Sequence, residues 1–326
     1  MDSQEKNVAI QQVEKSIVER LDEITSKITS VEDWENYINK YQQPFCQILA
    51  GLETERNSTE KEETQKPIAV IFGGQPGAGK TALIPKYKQI LKEKYNIDAV
   101  VNNADFYRFC VPGTYRVASD FPESASRLTD PVVKSMRKNL VEESIKQKQS
   151  IIIENTLGDT LTVDKMREGN VHDIWIALMA VPREESLLSD FERYIKMQEV
   201  SDVARLVSID AHDKRYTALD KIAIKLENEN IRMLVHSRGK NEDSLPVLEY
   251  DSFDKTNKRY SNVIEAMNSV RNTNFKANVS GYSERLKNIR EKMEAFGMTK
   301  DEEIELKRLE EIIGKSIAKE KEGEEK

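Results

Sequence analysis

Residues 67–81 read Pro-Ile-Ala-Val-Ile-Phe-Gly-Gly-Gln-Pro-Gly-Ala-Gly-Lys-Thr, a short apolar run leading into a glycine-rich turn. Across residues 74–81 the spacing is G-x-x-x-x-G-K-T, which marks a phosphate-binding loop when a strand enters it and a helix leaves it. The pattern meets both conditions: residues 68–72 are a candidate buried strand, and a helical stretch near 80–94 follows. Gly74, Gly77 and Gly79 let the backbone turn tightly, so that successive N–H groups point inward at phosphate oxygens. The helix starting near Gly79 adds the positive end of its dipole. Lys80 is placed to reach the β- and γ-phosphates, and the Thr81 hydroxyl to sit on Mg²⁺. The expected cofactor-binding set is Gly74, Gln75, Pro76, Gly77, Ala78, Gly79, Lys80 and Thr81, with Thr81 on the metal side. A plain glycine turn has no need of Lys-Thr at the helix start, so the pattern implies a nucleoside triphosphate.

Downstream the same alternation continues. Candidate strands at 99–102, 150–154, 174–180 and 231–236 alternate with candidate helices near 121–148, 161–168, 184–199 and 208–229. Apolar strands separated by helices predict an α/β fold with a mostly parallel sheet and helices on both faces. In such sheets ligands sit at the carboxyl ends of the strands, so functional residues should follow each strand directly.

The flanks read as helical hairpins. Ile10, Val13, Ile17, Leu21, Ile24 and Ile28 line one face; Ser30 and Asp33 mark a new helix start; Trp34, Ile38, Tyr41, Phe45, Ile48 and Leu52 form a second stripe. Residues 53–66 hold almost nothing to bury and read as a solvated linker. Toward the other end, Leu286, Ile289, Met293 and Phe296 make a stripe, with Gly297 as a cap and Thr299 with Glu302 as a capping box. Ile304, Leu309, Ile312 and Ile317 follow, before a charged tail at 319–326 that is expected to be disordered. The expected organisation is a helical hairpin at 1–52, a linker at 53–66, a nucleotide-binding core at 67–255 and a helical extension at 256–326.

Composition narrows the function classes. Of 326 residues, 38 % are hydrophobic and 33 % charged, which suits long solvated helices around one large domain or two. A net charge of −7 disfavours general nucleic-acid binding, which needs phosphate neutralisation, while leaving room for a local basic pocket. No run approaches the roughly 18 apolar residues of a membrane span, and the N-terminus lacks a secretory pattern, so the expected location is cytoplasmic. Cys46 and Cys110 are far apart and fit neither a disulfide framework nor a metal site; they are expected to be reduced and inert. His172, His212 and His236 show no ligand spacing.

Several strand ends carry candidate chemistry. Asp105, three residues past a strand end, has two readings: a base accepting a substrate hydroxyl's proton, or a helix cap. Glu154 closes an apolar strand, where it holds a magnesium-bound water, or orients Asp105, or is a structural carboxylate paired to an arginine. Thr156 is a neutral donor and acceptor at the same mouth. Arg193 and Arg205 either fold back to stabilise charge on a transferring phosphoryl group or are merely solvated. His212 and Asp213 read as helix-surface or capping residues.

Taken together, GGQPGAGKT at 73–81, NNADFYR at 102–108, IIIENT at 151–156, AVPREES at 180–186, FERY at 191–194 and the AR-then-AHD pattern at 204–213 resemble the zeta toxin family of P-loop kinases. The resemblance covers residues 67–250 and implies a kinase-like fold. It also implies ATP- and Mg²⁺-dependent phosphorylation of the sugar 3′-hydroxyl of UDP-N-acetylglucosamine, a nucleotide sugar. By motif match it makes Asp105 the catalytic base, Lys80 the loop lysine, and Arg193 and Arg205 the phosphate-stabilising pair. Asn103, Arg108, Glu154 and Thr156 fall on the substrate side. Asn155 stands where a glycine is frequent, which bears on the sugar pocket. Separate antitoxins of the family are small helical proteins, so the 66 residues before the core suggest an antitoxin-like module acting in cis, or a surface for one in trans.

Overall fold

The computed structural model describes residues 23–56, 66–108, 125–200, 206–239, 244–256 and 259–324, with scattered positions before residue 23, and Arg116 and Asp120. In chain order the elements are α1 (Val31–Arg56), β1 (Ile68–Gly73), a 3₁₀ turn (Lys80–Ala82), α2 (Leu83–Tyr95), β2 (Val100–Asn102), α3 (Ala104–Arg108), α4 (Ala125–Lys146) and β3 (Ile151–Ile153). Then come α5 (Leu161–Glu168), β4 (Asp173–Met179), α6 (Arg183–Val200), α7 (Ile209–Asn228), β5 (Arg232–Ser237) and β6 (Val247–Asp251). The chain closes with α8 (Val263–Asn278), a second 3₁₀ turn (Val279–Gly281), α9 (Tyr282–Phe296) and α10 (Lys300–Glu324).

The six strands form one sheet in the order β2-β3-β1-β4-β5-β6. Pairing is parallel between β2 and β3 and between β4 and β5, and antiparallel only where β6 joins β5 among the pairings described. β1 is buried along its whole length, as an apolar strand with both faces covered must be. This is the mostly parallel α/β architecture expected of a P-loop kinase-like fold.

By internal contacts the chain divides into two compact units. One holds residues 1–69, 87–154 and 164–173. Here α1 lies along α4: Trp34 is fully buried and its indole N–H donates to the Leu128 carbonyl, while the Cys46 thiol lies 3.7 Å from the Val132 carbonyl. Burial pushes that thiol up to about 11, so it stays protonated and unreactive. Ser30 caps α1 by accepting from the Asp33 N–H at 3.1 Å. The helix runs past the expected end of the hairpin to Arg56, because Thr54 is buried and its hydroxyl donates to the Ala50 carbonyl. Ile48, expected on the apolar face, is exposed; Cys46 and Ala50 occupy that face instead. The described positions up to Thr25 are helical and residues 26–30 form the turn into α1; Leu21 and Ile28 are buried as the first stripe predicts. Val13, expected on the same stripe, is exposed; Ile10, Ile17, Cys110 and residues 57–65 lie outside the described residues.

The other unit holds residues 70–86, 155–163 and 174–326. Three of its features depart from expectation. β6 is an additional edge strand, with Val247 and Leu248 exposed. α8 is an additional helix, capped by Asn262, whose side chain accepts from the N–H groups of Ile264 and Glu265. α10 continues to Glu324 through the tail expected to be disordered, its first turn carrying Asp301, Glu302 and Glu303 and its last carrying Lys321. The predicted capping box is present, with Thr299 N–H donating to Glu302 at 2.8 Å and Glu302 N–H to Thr299 at 3.3 Å. Leu306, Leu309 and Ile313 are buried with α9 residues Ile289 and Met293, whereas Phe296 and Ile304 face solvent.

Candidate functional site

The turn after β1 has the conformation its glycines were expected to supply. Gly77 and Gly79 sit at φ +71° and +83°, the left-handed region that side chains rarely adopt. Helical structure begins as a 3₁₀ turn over Lys80–Ala82 before α2 proper, so the loop is followed by a tighter first turn than predicted. Thr81 is exposed on that turn. Lys80 is nearly buried and folds back, its Nζ donating to the Gln75 carbonyl at 3.0 Å. Gly74 N–H donates to the Thr156 carbonyl at 3.3 Å, which joins one predicted site residue to the start of the loop.

Gln75 has a role its position alone did not suggest. Its side chain is fully buried and points away from the cradle, donating to the Val181 carbonyl and to Ser186 Oγ, both at 3.0 Å. Ser186 Oγ also lies 2.8 Å from His212 Nε2, and His212 Nδ1 lies 3.1 Å from Asp213, which takes two hydrogen bonds from Arg183. A carboxylate only accepts, so Nδ1 carries the imidazole proton and Nε2 accepts from the serine. Burial pushes the His212 pKa down despite the pull of Asp213, so the ring is neutral near pH 7. Hence His212 is not a surface residue: it is completely buried at the foot of the loop. This serine, histidine and aspartate share the bonding order of a nucleophile array, but Ser186 is fully buried, so the trio buttresses the loop.

A second support comes from Arg238, directly after β5. Its guanidinium donates to the carbonyls of Gly77 and Ala78, to Glu185 at 2.9 Å and to Ser189 at 3.0 Å. Sequence reasoning passed over this residue, although the rule that functional residues follow strands points to it. Arg238 thus holds the loop through its carbonyls, while the Ala78 N–H closes a turn within the loop by donating to the Gln75 carbonyl at 3.2 Å.

Arg193 is held near the same loop. It is half exposed and pairs with the buried Asp190 at 2.7 Å. Burial pushes the Asp190 pKa up, against the opposing pull of Arg193, a backbone N–H from Val207 and the charge of Lys80. Val207 thereby brings the segment preceding α7 to Asp190; Arg205 itself lies outside the described residues.

In the other unit, β2 and β3 end side by side, and Glu154 N–H donates to the Asn102 carbonyl at 2.9 Å. Asn103 Nδ2 donates to the Glu154 carboxylate at 2.6 Å, and Asn103 Oδ1 accepts from Phe106 N–H at 3.1 Å. Asn103 therefore starts α3 and takes the capping role once open to Asp105, which lies inside the first turn. The Asp105 side chain is outside the described residues. An arginine does meet Glu154, but Arg137 donates to its backbone carbonyl. Arg108 is turned onto α4, donating to Thr129 and, at 2.8 Å, to Asp130, so its observed contacts are structural. Asn155, which belongs to the unit of the phosphate loop, closes its own turn, accepting from Leu157 N–H and donating to Thr162.

The family model described as Zeta toxin matches residues 53–245, more than half of the chain. The chain belongs to the zeta toxin family. Among curated relatives it is 26 % identical over 158 residues to Toxin PezT of Streptococcus pneumoniae serotype 4, covering 47 % of this chain and 60 % of that one. It is likewise 26 % identical over 158 residues to Toxin zeta of Streptococcus pyogenes, covering 47 % and 53 %. The chain thus spans little more than half the length of the curated relatives it matches. A solved structure from the PezAT chromosomal toxin–antitoxin system of S. pneumoniae superposes with a TM-score of 0.58 at 21 % identity, covering 77 % of this zeta toxin family chain and 97 % of that one. That likeness establishes the fold. No described helix is long and apolar enough to cross a membrane.

Proposed function

We propose that this zeta toxin family chain is an ATP-dependent kinase that transfers the γ-phosphoryl group to the sugar 3′-hydroxyl of UDP-N-acetylglucosamine. The observation that carries the nucleotide half is the glycine-rich loop, seated on Arg238 and Ser186 with its lysine folded back onto the Gln75 carbonyl. The acceptor half rests on the run of family motifs and on the Asn103–Glu154 pair at the ends of β2 and β3.

In this mechanism the backbone amides of the loop and the Lys80 ammonium, exchanging the Gln75 carbonyl for phosphate oxygen, bind the β- and γ-phosphates. Thr81, exposed on the first turn, would hold Mg²⁺ together with phosphate oxygens, and the ion would screen their charge. Asp105 takes the proton from the acceptor hydroxyl as its oxygen attacks the γ-phosphorus and the bond to the ADP oxygen breaks. Arg193 and Arg205 stabilise the charge spread over the equatorial oxygens, and for Arg193 this requires exchange of Asp190 for phosphate. Glu154, Asn103 and Thr156 orient the sugar, while Arg108 contributes by holding α3 on α4.

The direct test incubates the chain with ATP and UDP-N-acetylglucosamine and weighs the sugar nucleotide by mass spectrometry. A phosphorylated product that disappears in Asp105→Ala, with ATP still bound, supports the proposal. ATP turnover that depends on the sugar nucleotide and survives Asp105→Ala refutes the assigned base. The N-terminal helices fit a module acting in cis, since Arg116 donates to the Thr25 and Ile28 carbonyls at their turn. Because α1 buries Trp34, Phe45 and Cys46, point changes at this turn test inhibition more cleanly than deletion of residues 1–66.

A further inference from the structure

Helix α6 has the phosphate loop on one side and the C-terminal helices on the other, and its sequence divides accordingly. At about 100° per residue, Ser186, Asp190 and Arg193 fall on one face. That face meets the loop: a Cβ on Gly77 would touch the Ser186 carbonyl and the Asp190 nitrogen, and Arg193 pairs with Asp190 at 2.7 Å. The opposite face carries Leu187, Phe191, Tyr194 and Ile195, buried in one apolar cluster with residues of α9 and α10. Both of those helices lie beyond the segment 53–245 that the family model matches. We infer that α9 and α10 position Arg193: they fix α6 along its far face and so hold the guanidinium at the phosphate loop, with Glu192 and Tyr194 as the positioning residues. This rests on the reading that the chain transfers a phosphoryl group whose charge Arg193 stabilises.

The run Phe191-Glu-Arg-Tyr194 shows the division residue by residue. Phe191 is fully buried in the shared cluster. Glu192 takes two hydrogen bonds from Arg285 of α9, both at 2.7 Å, a planar fork that fixes direction as well as distance. The Tyr194 hydroxyl donates to Glu302 of α10 and accepts from Gln198, one turn further along α6, at 2.7 Å. Of the four, only Arg193 turns the other way, to Asp190 on the loop face. Glu302 also closes the capping box with Thr299, so the acid that starts α10 is the one that grips α6.

Further ties run the length of the helix. Ser316 of α10 donates to Glu184 in the first turn of α6, and Lys292 of α9 donates to Glu199 near its end, both at 2.8 Å. Anchored at these levels, α6 cannot roll or slide without breaking hydrogen bonds to carboxylates. Side-chain tips lie about 5–6 Å from a helix axis, so a roll of about 20° would carry the Arg193 guanidinium about 2 Å from its place. A displacement of about 1 Å in a group that meets the reacting atoms can cost about a hundredfold in rate. The loop face supplies less restraint, since Arg193 is half exposed there and paired with Asp190.

The test uses the full chain and measures ATP affinity by calorimetry and phosphoryl transfer from ATP to UDP-N-acetylglucosamine by mass spectrometry. The variant Glu192→Ala/Tyr194→Phe cuts both anchors beside Arg193 and leaves the apolar cluster in place. It should lower kcat about tenfold and change ATP affinity less than about twofold, since the loop itself is untouched. Combined with Arg193→Ala, the same pair should lower kcat less than about twofold beyond Arg193→Ala by itself, because an anchor has no effect once the anchored group is gone. Glu302→Ala breaks the Tyr194 contact from α10; it should behave the same way, and it serves if the double change does not fold. A folded variant with the parent's kcat overturns the inference. So does a tenfold loss that persists without Arg193, or a loss of ATP affinity equal to the loss in kcat, since either marks a defect that does not act through Arg193. A parent chain that transfers nothing removes the kinase reading and the inference together, whereas an active parent with additive losses removes the inference alone.

Discussion

Replacing Gly77 with alanine gives a sharp test of how the phosphate loop is seated. A Cβ at this position would lie 1.9 Å from the Ser186 carbonyl oxygen, 2.9 Å from its carbon and 3.0 Å from Asp190 N, all backbone atoms of α6. Ordinary contact begins near 3.4 Å, so loop and helix must separate by about 1.5 Å to admit one methyl group. Ser186 cannot retreat easily: its N–H bonds the Pro182 carbonyl, and its hydroxyl is shared with Gln75 and His212. The left-handed backbone adds roughly 1–2 kcal/mol for any L side chain, and forced overpacking roughly 1–3 kcal/mol more, for a total of about 2–5 kcal/mol. Gly79→Ala is the matched control. It sits at a similar φ, but its Cβ would meet nothing closer than Arg238 Nε at 3.7 Å, so it should cost only the roughly 1–2 kcal/mol of backbone strain. Urea denaturation of both variants measures the difference, and ATP titration of Gly77→Ala should show severe loss of binding. If Gly77→Ala is no less stable than Gly79→Ala and binds ATP as the parent does, the loop is not packed against α6 as described.

Other substitutions test neighbouring supports. Trp34→Ala removes a fully buried indole from the interface of α1 and α4 and should cost roughly 3–5 kcal/mol in urea denaturation; a loss below about 1 kcal/mol would mean α1 does not pack there. Arg238→Ala leaves Glu185 without its guanidinium partner and frees two loop carbonyls, so stability should fall by roughly 1.5–3 kcal/mol and ATP should bind more weakly; unaltered ATP affinity would count against a supporting role. His236 gives a pH test: burial pushes its pKa down to about 3, so the stability it contributes is present above the unfolded value near 6.5 and is lost as pH falls toward 3. Between pH 7 and 5.5 that is about 1 kcal/mol, with His212 pulling in the same direction, and His236→Gln should flatten the slope of stability against pH; an unchanged slope refutes the assignment.

The strands were legible because each is an uninterrupted apolar run. Residues 68–72 became Ile68–Gly73 and 231–236 became Arg232–Ser237, shifts of a residue at the ends. β6 escaped notice for the opposite reason: an edge strand with Val247 and Leu248 exposed and Glu249 between them and Tyr250 has no clean alternation to read. α8 had a readable signal, since Val263, Ala266, Met267 and Val270 recur at helical spacing behind an Asn262 cap. The charged tail was misread because low hydrophobicity argues disorder, yet Glu303–Lys307 pairs one turn apart, with acids at the start and a lysine at the end, favour a helix. The site divides the same way. Glycines, lysine and threonine announce themselves by spacing, whereas Gln75 and Ser186 meet across 111 residues and Arg238 and Ala78 across 160. Nothing local marks such pairs.

Those long-range partners explain why a loop of this kind needs more than its motif. Main-chain N–H groups bind phosphate well only if they are already aimed at it, because ordering them at the moment of binding would cost conformational entropy. Glycine supplies the required φ values but also raises the entropy of the free loop, so a glycine-rich turn alone is poorly ordered. Here the order comes from the side opposite the ligand: the Gln75 side chain is locked into Val181 and Ser186, and the Gly77 and Ala78 carbonyls are held by Arg238. Both anchors run on into charged hydrogen-bond chains, one through His212 and Asp213 to Arg183, the other through Glu185 to Asn278. Loss of either anchor should therefore weaken binding of every triphosphate alike, whatever its base.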